Sequence, residues 1–500
     1  MDAVVQRGWR MSARIVWRKL RAGWAGALLT LVALSPAASQ DRDPLHEREH
    51  YHGGPILPPG APTPTPPWKI DPFPSTYHPG PTVDLLIRHA TVLDGSGGRL
   101  EDGDVLLLHG KVVAIGRTLS NPGGVREIDA SGRWLTPGII DIHSHDGTYV
   151  LPLTAIDRDA GDVAELSDPN AADIRIETAI NPQDVAFARA RENGVTTLQV
   201  LPGSSPIFGG RSVLLHPVVA TTVAAMKVPD APQGFKMACG ENPKTEDVDA
   251  HHGPTSREGE IAFIRKSFLD AQDIIGDWQR YAEGRGPPPH RDLKREALAG
   301  ILSGDVHVHM HCYRAEDMAV MLSVAKEFDF TIAAFHHATE AYKIPDLLRA
   351  SGTCVVTWGD WWGFKMEALD ATRANAPMLD RDGICVTMHS DSPYTGQHLP
   401  IEAAKAAAFG RRLGIDLPPE RLIRWVTSTP AKILGVGDRM GTLAPGRDGD
   451  VVIWSGNPFS IYTKADLVLI DGSVVFDRSA PAQPSSDFTL GRPTIASVGQ

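Results

Sequence analysis

Short segments in which apolar and polar residues alternate flank a long middle region of different character. They occupy residues 83–87, 104–108 and 111–115 on one side, and 450–454, 467–470 and 473–476 on the other. Glycine-containing turns at Gly110 and Gly472 separate consecutive segments, which is typical of antiparallel sheet. The pattern predicts a small β-sandwich built from both chain ends, with its two parts at residues 82–134 and 437–478.

The middle region, residues 135–436, alternates between helical and strand-like segments. One helix is predicted to begin with Asn181 as N-cap and Pro182 at its first position, and to stop at Gly194 before a strand at 195–200. Such alternation predicts the α/β class and a (β/α)8 TIM-type barrel, whose catalytic groups lie at the carboxyl ends of its strands. A doubly wound sheet would also alternate, but no GxGxxG sequence follows an early strand.

Residues 1–40 have the composition of a secretory signal peptide. Basic residues precede the apolar run 25–34, and small residues follow it at 36–39. The run is too short to span a bilayer comfortably, so we expect export to the periplasm or to the outside of the cell. An uncleaved membrane anchor is the alternative. The proline-rich residues 41–81 are predicted to form an extended linker, and residues 479–500 a flexible tail.

Composition, charge and cysteine usage narrow the class of protein. With 42% hydrophobic and 22% charged residues, the chain falls in the range of globular proteins. The net charge of -11, from 49 basic and 60 acidic residues, argues against nucleic acid as a partner, because phosphate binding needs a basic face. Isolated cysteines in apolar segments predict buried thiols and no thiolate zinc site. They are Cys239, Cys312, Cys354 and Cys385.

Two strand-like segments end in residues that bind metal ions. His143 and His145 follow an apolar strand at a spacing of two, which places both imidazoles on one face. Asp391 ends an apolar segment, where a lone carboxylate would be costly to bury without a cation. The alternative for Asp391 is a helix N-cap. Nitrogen and oxygen ligands favour zinc, ahead of manganese, iron or cobalt.

Two further segments carry clustered histidines. His307, His309 and His311 alternate along one strand and share a face. We favour His311 as a ligand because it lies at the strand end, while a hydrogen-bonded core role fits His307 and is the alternative for His309. Adjacent strand residues face opposite ways, so at most one of His336 and His337 is expected to point inward, and we favour His337.

Residues 135–145, with the sequence LTPGIIDIHSH, resemble the opening metal motif of the amidohydrolase superfamily. The branch is that of imidazolonepropionase-like and Xaa-Pro dipeptidase-like enzymes. Residues 427–435 and 441–454 resemble the closing part of the same family, and the likeness extends over residues 83–478. The resemblance implies a metal-dependent (β/α)8 barrel flanked by a β-sandwich made from both chain ends.

The resemblance also implies a set of metal ligands for one or two divalent ions, with zinc as the expected metal. The set consists of His143, His145, His311, His337 and Asp391. At the fourth strand, members of the family use a carboxylated lysine or a glutamate. We favour Glu241, which stands at the strand end, over Lys236, which lies deeper in the strand.

The implied chemistry is hydrolysis of a C–N bond in an amide, cyclic amide or dipeptide, with Asp391 as general acid and base. The substrate is thus a small molecule or short peptide, and we also consider a homo-oligomer. Deamination, organophosphate or ester hydrolysis, and a non-catalytic metal-binding relative are the alternatives, because a fold does not fix a substrate. Candidates for the pocket wall, each equally consistent with packing, are Tyr313, Arg314, Tyr342, Trp358, Trp361 and Trp362.

Overall fold

The structure, a computed structural model, describes residues 63–244 and 253–480. The predicted signal peptide, the first part of the predicted linker and nearly all of the predicted tail lie outside these residues. None of the helices within the two described ranges is long and apolar enough to cross a membrane.

Secondary structure in the described residues follows the predicted order of a β-rich region, an alternating middle region and a second β-rich region. The strands, numbered in chain order, are β1 (Leu85–Leu93), β2 (Arg99–Leu108), β3 (Lys111–Gly116), β4 (Arg126–Asp129), β5 (Trp134–Pro137), β6 (Ile139–Ser144), β7 (Val195–Val200), β8 (Phe208–Arg211), β9 (Val213–Leu215), β10 (Gln233–Ala238), β11 (Val306–Cys312), β12 (Ile332–His337), β13 (Cys354–Thr357), β14 (Val386–Met388), β15 (Val451–Trp454), β16 (Ala465–Ile470) and β17 (Ser473–Asp477). The α-helices include Ala155–Asp159, Val185–Glu192, Arg257–Ala282, Leu293–Leu302, Ala315–Glu327, Pro345–Ser351, Asn375–Arg381, Leu399–Arg412, Pro419–Leu422 and Ser428–Ile433.

Strands from both chain ends share one eight-stranded sheet. Its order is β17-β16-β15-β5-β1-β2-β3, and β4 pairs with β1. The join between the two ends is the antiparallel pair of β5 and β15, in which Thr136 lies opposite Val452. The indole of Trp454 donates a hydrogen bond of 2.9 Å to the Thr136 hydroxyl across this join. The sheet therefore extends to Pro137, beyond the predicted boundary at residue 134.

The middle region contains a six-stranded sheet, in the order β14-β13-β12-β11-β10-β8, and a three-stranded sheet, β6-β7-β9. Strands β10 to β14 are parallel. Their residues are mostly buried, as is usual for a parallel sheet, because the helices that connect its strands cover its faces. The backbone N–H of Asp391, after β14, donates to the carbonyl of His143 in β6 at 2.9 Å. The carboxyl ends of the first and last strands of this region therefore lie together.

The helix that precedes β7 begins later than predicted. Its N-cap is Asp184, whose carboxylate accepts a hydrogen bond from the N–H of Ala186, and the helix runs over Val185–Glu192. Asn181 is therefore not the cap, because the acidic side chain three residues on satisfies the free N–H groups instead. The stop is where it was predicted: Gly194 has a φ of 87°, a conformation that favours glycine.

The described part of the predicted linker is packed rather than extended throughout. Pro67–Lys69 forms a 3-10 turn that buries Trp68. Trp68 belongs to a small apolar cluster with Ile274 and Ala299, and Tyr77 is also buried. Proline density predicted an extended linker, but one large aromatic ring buries enough apolar surface to hold such a segment against the domain.

All four cysteines form disulfides, which corrects the prediction of buried thiols. Cys239 bonds to Cys312 with a Cα–Cα distance of 5.4 Å, and Cys354 bonds to Cys385 with a Cα–Cα distance of 4.7 Å. Strand register explains both pairs. Ala238 lies opposite His311, which places the next residue of each strand side by side, and the pairing of Val355 with Val386 does the same for the residues that precede them.

Replacing Cys354 and Cys385 together with alanine should lower the stability to chemical denaturation by about 3 kcal/mol, because the disulfide closes a loop in the unfolded chain. The expected readout is a lower denaturation midpoint. The pairing itself has an independent check: the unreduced wild-type chain, once denatured, should expose no thiol to a thiol reagent. Four reactive thiols per chain would contradict both disulfides.

Candidate metal centre

Two histidines at the end of β6 and an aspartate after β14 form the centre of the site. Nε2 of His143 and Nε2 of His145 are 3.3 Å apart. Each lies 3.2 Å from Oδ1 of Asp391. Both imidazoles are buried, as expected for residues two apart at the end of a strand enclosed on both faces. The three side chains form a group whose ligand atoms all lie within 4.8 Å of one another.

Opposing influences act on the carboxylate of Asp391. Burial tends to raise its pKa, but the hydrogen bond and charge of His145, the His389 ring and the Lys236 ammonium outweigh burial, and the pKa lies below its usual value. Its side chain faces the imidazoles at 3.2 Å. Asp391 is therefore ionised at neutral pH and able to accept a proton.

Both residues of the His336-His337 pair face the site, so the prediction that at most one would point inward is wrong. Nδ1 of His336 lies 2.9 Å from Nδ1 of His143, and Nδ1 of His337 lies 4.0 Å from Asp391. The reason is backbone geometry. His337 has a φ of 69° and Ala338 a φ of 41°, and this left-handed turn ends the alternation of a regular strand.

His389 is a functional candidate that the sequence analysis did not identify. With His143 and His337 it forms a second group whose ligand atoms lie within 4.8 Å. Its ring stacks on that of His143 at a centroid distance of 4.9 Å, and neither of its nitrogens has a hydrogen-bond partner. Burial lowers the pKa of His389 to about 3, so it presents neutral nitrogen lone pairs. Its spacing of two from Asp391 was the overlooked indication.

The two candidates for the fourth-strand ligand occupy different places. The ammonium nitrogen of Lys236, a fully buried residue of β10, lies 3.4 Å from Nε2 of His143. Glu241 is absent from both ligand groups found among the described residues. Its backbone N–H donates to Glu367 at 2.7 Å, and Oε2 of its side chain is buried without a hydrogen-bond partner. Burial lowers the pKa of Lys236 to about 8. The geometry therefore favours Lys236 over the predicted Glu241.

His311 and His309 face different neighbours. The ring of His311 contacts that of His337 at a centroid distance of 4.4 Å, and neither nitrogen of His311 has a hydrogen-bond partner. His309 lies two residues earlier in β11, where its Nδ1 contacts Nε2 of His336 at 2.9 Å. His311 is thus the one at the open end of β11, whereas His309 extends a row of imidazoles behind His143.

The predicted pocket wall divides into two parts. Tyr313 and Trp358 stack on the ring of His337 at centroid distances of 5.0 and 4.4 Å, and Trp361 stacks on Trp358 at 4.6 Å. These three aromatic rings border the ligand cluster.

The other three predicted wall residues have contacts elsewhere. Arg314 pairs with Glu316, and the hydroxyl of Tyr342 donates to the carbonyl of Asp370 at 2.9 Å. Trp362 is 55% exposed. Among the described residues, no ring or polar contact joins these side chains to the imidazoles.

The donor set suits a divalent cation. Both nitrogens of His311 and of His389 are buried without hydrogen-bond partners, an arrangement that is costly unless something binds them. Burial is also the first cause that lowers the pKa of His143 and His337 well below the usual value. Neutral imidazoles beside an ionised carboxylate are the ligands that zinc and similar ions prefer.

Comparison with known sequences places these residues in context. A model of the amidohydrolase family, Amidohydro_3, matches residues 305–476. Amidohydrolase tasK of Hapsidospora irregularis is 32% identical over 446 residues, which cover 80% of this chain but only 44% of that protein. Imidazolonepropionase of Stenotrophomonas maltophilia strain R551-3 is 25% identical, over 76% of this chain and 91% of the enzyme.

Solved structures give the same picture. An amidohydrolase from Thermotoga maritima MSB8 has 32% sequence identity and a TM-score of 0.73, and the match covers 79% of this chain and 100% of that one. A prolidase from Bifidobacterium longum, at 14% identity and a TM-score of 0.51, matches 81% of this chain and 97% of its own. The second likeness concerns the fold alone.

Proposed function

Because this chain belongs to the amidohydrolase family, we propose that it is a metal-dependent hydrolase that cleaves C–N bonds at the cluster around His143, His145 and Asp391. The observation that carries the proposal is the approach of Oδ1 of Asp391 to two imidazole nitrogens at 3.2 Å each. The family membership rests on 32% identity to the Thermotoga maritima amidohydrolase over the whole of that chain.

In this proposal the two sheets of the middle region form one closed (β/α)8 barrel beside a β-sandwich. The support is the hydrogen bond of 2.9 Å from the N–H of Asp391 to the carbonyl of His143, which joins the ends of β14 and β6. The barrel would collect the ligands at the carboxyl ends of its strands, the usual place for catalytic groups in this architecture.

Lys236 replaces Glu241 as the proposed fourth-strand ligand. With a pKa of about 8, about a tenth of its amine is neutral at pH 7, and this fraction is nucleophilic. The amine nitrogen would attack carbon dioxide, forming an N–C bond and releasing one proton. The resulting carbamate would present two carboxylate oxygens beside His143, which would be better ligands for divalent ions than the bare amine.

Four groups of this chain have separate tasks in the reaction. A divalent ion, for which zinc is our proposal, supplies Lewis-acid activation of water and of the carbonyl when it is bound. His143 and His145 would hold it, and His336 would orient His143 through the contact at Nδ1. Asp391 accepts the proton of the attacking water and returns it to the leaving nitrogen.

The aromatic rings beside the ligands favour a small substrate with an apolar part. Tyr313, Trp358 and Trp361 stack in series from His337 outward, and such surfaces bind flat or aliphatic groups. Amides, cyclic amides and dipeptides with an apolar side chain fit this wall.

Export of the chain belongs to the same proposal. The support is the pair of disulfides, Cys239–Cys312 and Cys354–Cys385, because disulfides persist mainly in oxidising compartments such as the periplasm. Fractionation of the natural host would test it, with the chain expected outside the cytoplasm.

Metal removal tests the proposed function directly. The purified chain should contain one or two divalent ions by elemental analysis, and dialysis against a chelator should abolish turnover, which added zinc should restore. The substrates to screen are N-acyl amino acids, dipeptides and cyclic amides, with an aminopurine and a phosphotriester as tests of the other reactions. Turnover that survives complete metal removal would contradict the proposal.

A further inference from the structure

A cavity lies at the opposite end of the middle region from the metal ligands. Its volume is about 570 Å³. It is bounded by Trp68 and its neighbours, by residues 172–178, and by the start of the helix Leu293–Leu302. Arg211, the last residue of β8, lines it and pairs with Phe235 near the start of β10. Gly300 and Asp305, which lie near Arg211, precede β11, whereas His311 lies near the other end of that strand. The cavity and the metal ligands are therefore separate sites.

Arg211 is a charged residue in a buried position. Its side chain is buried, with the residue only 3% exposed, and Nη1 has no hydrogen-bond partner. Among the described residues, no carboxylate lies within the 4.0 Å of an ion pair with Arg211. Burying a charged guanidinium without a partner is costly, so the arrangement calls for a negative ligand.

The neighbouring arginines are already paired. Arg175 contacts both Asp71 and Glu177 at 3.4 Å, and Arg291 contacts Glu296 at 2.5 Å. These acids neutralise other cations and leave the guanidinium of Arg211 available.

Two acids influence Arg211 from beyond contact distance. Asp71 and Asp305 favour its charged form, whereas Arg175 opposes it. Asp173 also lines the cavity. Burial, the largest cause, lowers the pKa of Arg211 to about 9, so the guanidinium still carries its charge at neutral pH.

Two further features of the cavity suit an anion. Trp68, which lines it, has a buried indole N–H without a hydrogen-bond partner. Gly300 packs against the guanidinium, and a Cβ atom at this position would lie 2.9 Å from Nη2 of Arg211. The absence of a side chain at Gly300 therefore leaves space for the guanidinium. The two unpartnered donors, the Arg211 guanidinium and the Trp68 indole, both belong to residues that line this cavity.

We propose that this cavity is a binding site for a small oxyanion, of the class of sulfate, phosphate and short dicarboxylates, held by Arg211 and Trp68. A guanidinium binds such ions through two parallel N–H donors, and an indole N–H supplies a third donor. The ligand would connect the N-terminal segment around Trp68 to β8 and to the helix that contains Gly300.

The test measures thermal stability of the full chain in sodium sulfate, sodium phosphate and sodium malonate, each against sodium chloride at equal ionic strength. At least one oxyanion should raise the melting temperature by a few degrees, with a saturable dependence that calorimetry confirms as one site. Arg211→Met should abolish this shift. Arg295→Met, which removes an exposed arginine of the same helix region, should keep it.

Two variants keep the test decisive if Arg211→Met does not fold. Trp68→Phe should weaken the oxyanion about fivefold, the effect of one lost hydrogen bond, and Gly300→Ala should weaken it by crowding the guanidinium. Sulfate or phosphate bound at the metal centre would persist in Arg211→Met and disappear on chelation. An equal saturable shift in Arg211→Met, or the absence of any oxyanion effect beyond chloride in the wild type, would overturn the proposal.

Discussion

Replacing Asp391 with asparagine should lower turnover by about a thousandfold while the bound metal stays in place. Asparagine keeps the shape and one oxygen of the side chain, and the imidazoles of His143 and His145 remain. What it loses is the capacity to take a proton, and positioned acid–base groups contribute roughly 10²–10⁴-fold to rates. Steady-state kinetics and elemental analysis of the same preparation would measure both quantities.

Asp346→Asn is the matched control for this experiment. Asp346 is exposed and pairs with Arg349 at 2.6 Å, so the change removes one carboxylate without touching the site. Its turnover should equal that of the wild type. If Asp391→Asn instead retained full turnover, the proton-transfer role would belong to another group; loss of metal together with activity would make Asp391 chiefly a ligand.

Replacing Lys236 with methionine should lower both the metal content and the turnover. We expect turnover to fall by at least about a hundredfold, because even a residue that only supports a metal ligand can contribute up to about a hundredfold. Methionine preserves the length of the apolar stem, so the buried position stays filled. The intact mass of the wild-type chain should exceed that of its sequence by one carbon dioxide under native conditions. Added formate or acetate should partly restore Lys236→Ala, because either supplies the missing carboxylate.

Glu241→Gln provides the matched comparison for Lys236. Glu241 stands five residues further along the chain, and its backbone contacts Glu367 rather than an imidazole. The variant should bind metal as the wild type does and keep most of its turnover. A Glu241→Gln chain without metal beside a Lys236→Met chain with full metal would reverse our assignment and restore the sequence-based choice.

The sequence was most informative where one strand supplies the whole pattern. His143 and His145 lie two apart after an apolar run, and their close approach follows from strand periodicity alone. Their proximity to Asp391 followed from the predicted barrel, which brings strand ends together, and from the family resemblance. The distance of 3.2 Å depends on how β6 and β14 meet, and hydrophobic patterning along one strand does not determine that meeting.

The expectations that failed were those that depended on pairing between strands or on local backbone turns. Cys239 and Cys312 are 73 residues apart in sequence, and only the register of β10 against β11 brings them together. Our proposal of Lys236 in place of Glu241 rests on side-chain length, because a lysine within the strand reaches as far as a residue at its end. His337 turns inward beside His336 because of its own left-handed backbone, which strand propensity does not predict.

The Cys239–Cys312 disulfide has a practical consequence. It ties together the two strand ends next to Lys236 and His311, and so adds a covalent bond to the backbone pairing that holds β10 against β11. Protein produced in a reducing cytoplasm, or purified with a thiol reagent, would have the correct sequence but would lack this covalent link. Recombinant material should therefore be directed to an oxidising compartment and kept free of reductants, and an inactive preparation made otherwise would not test the proposed activity.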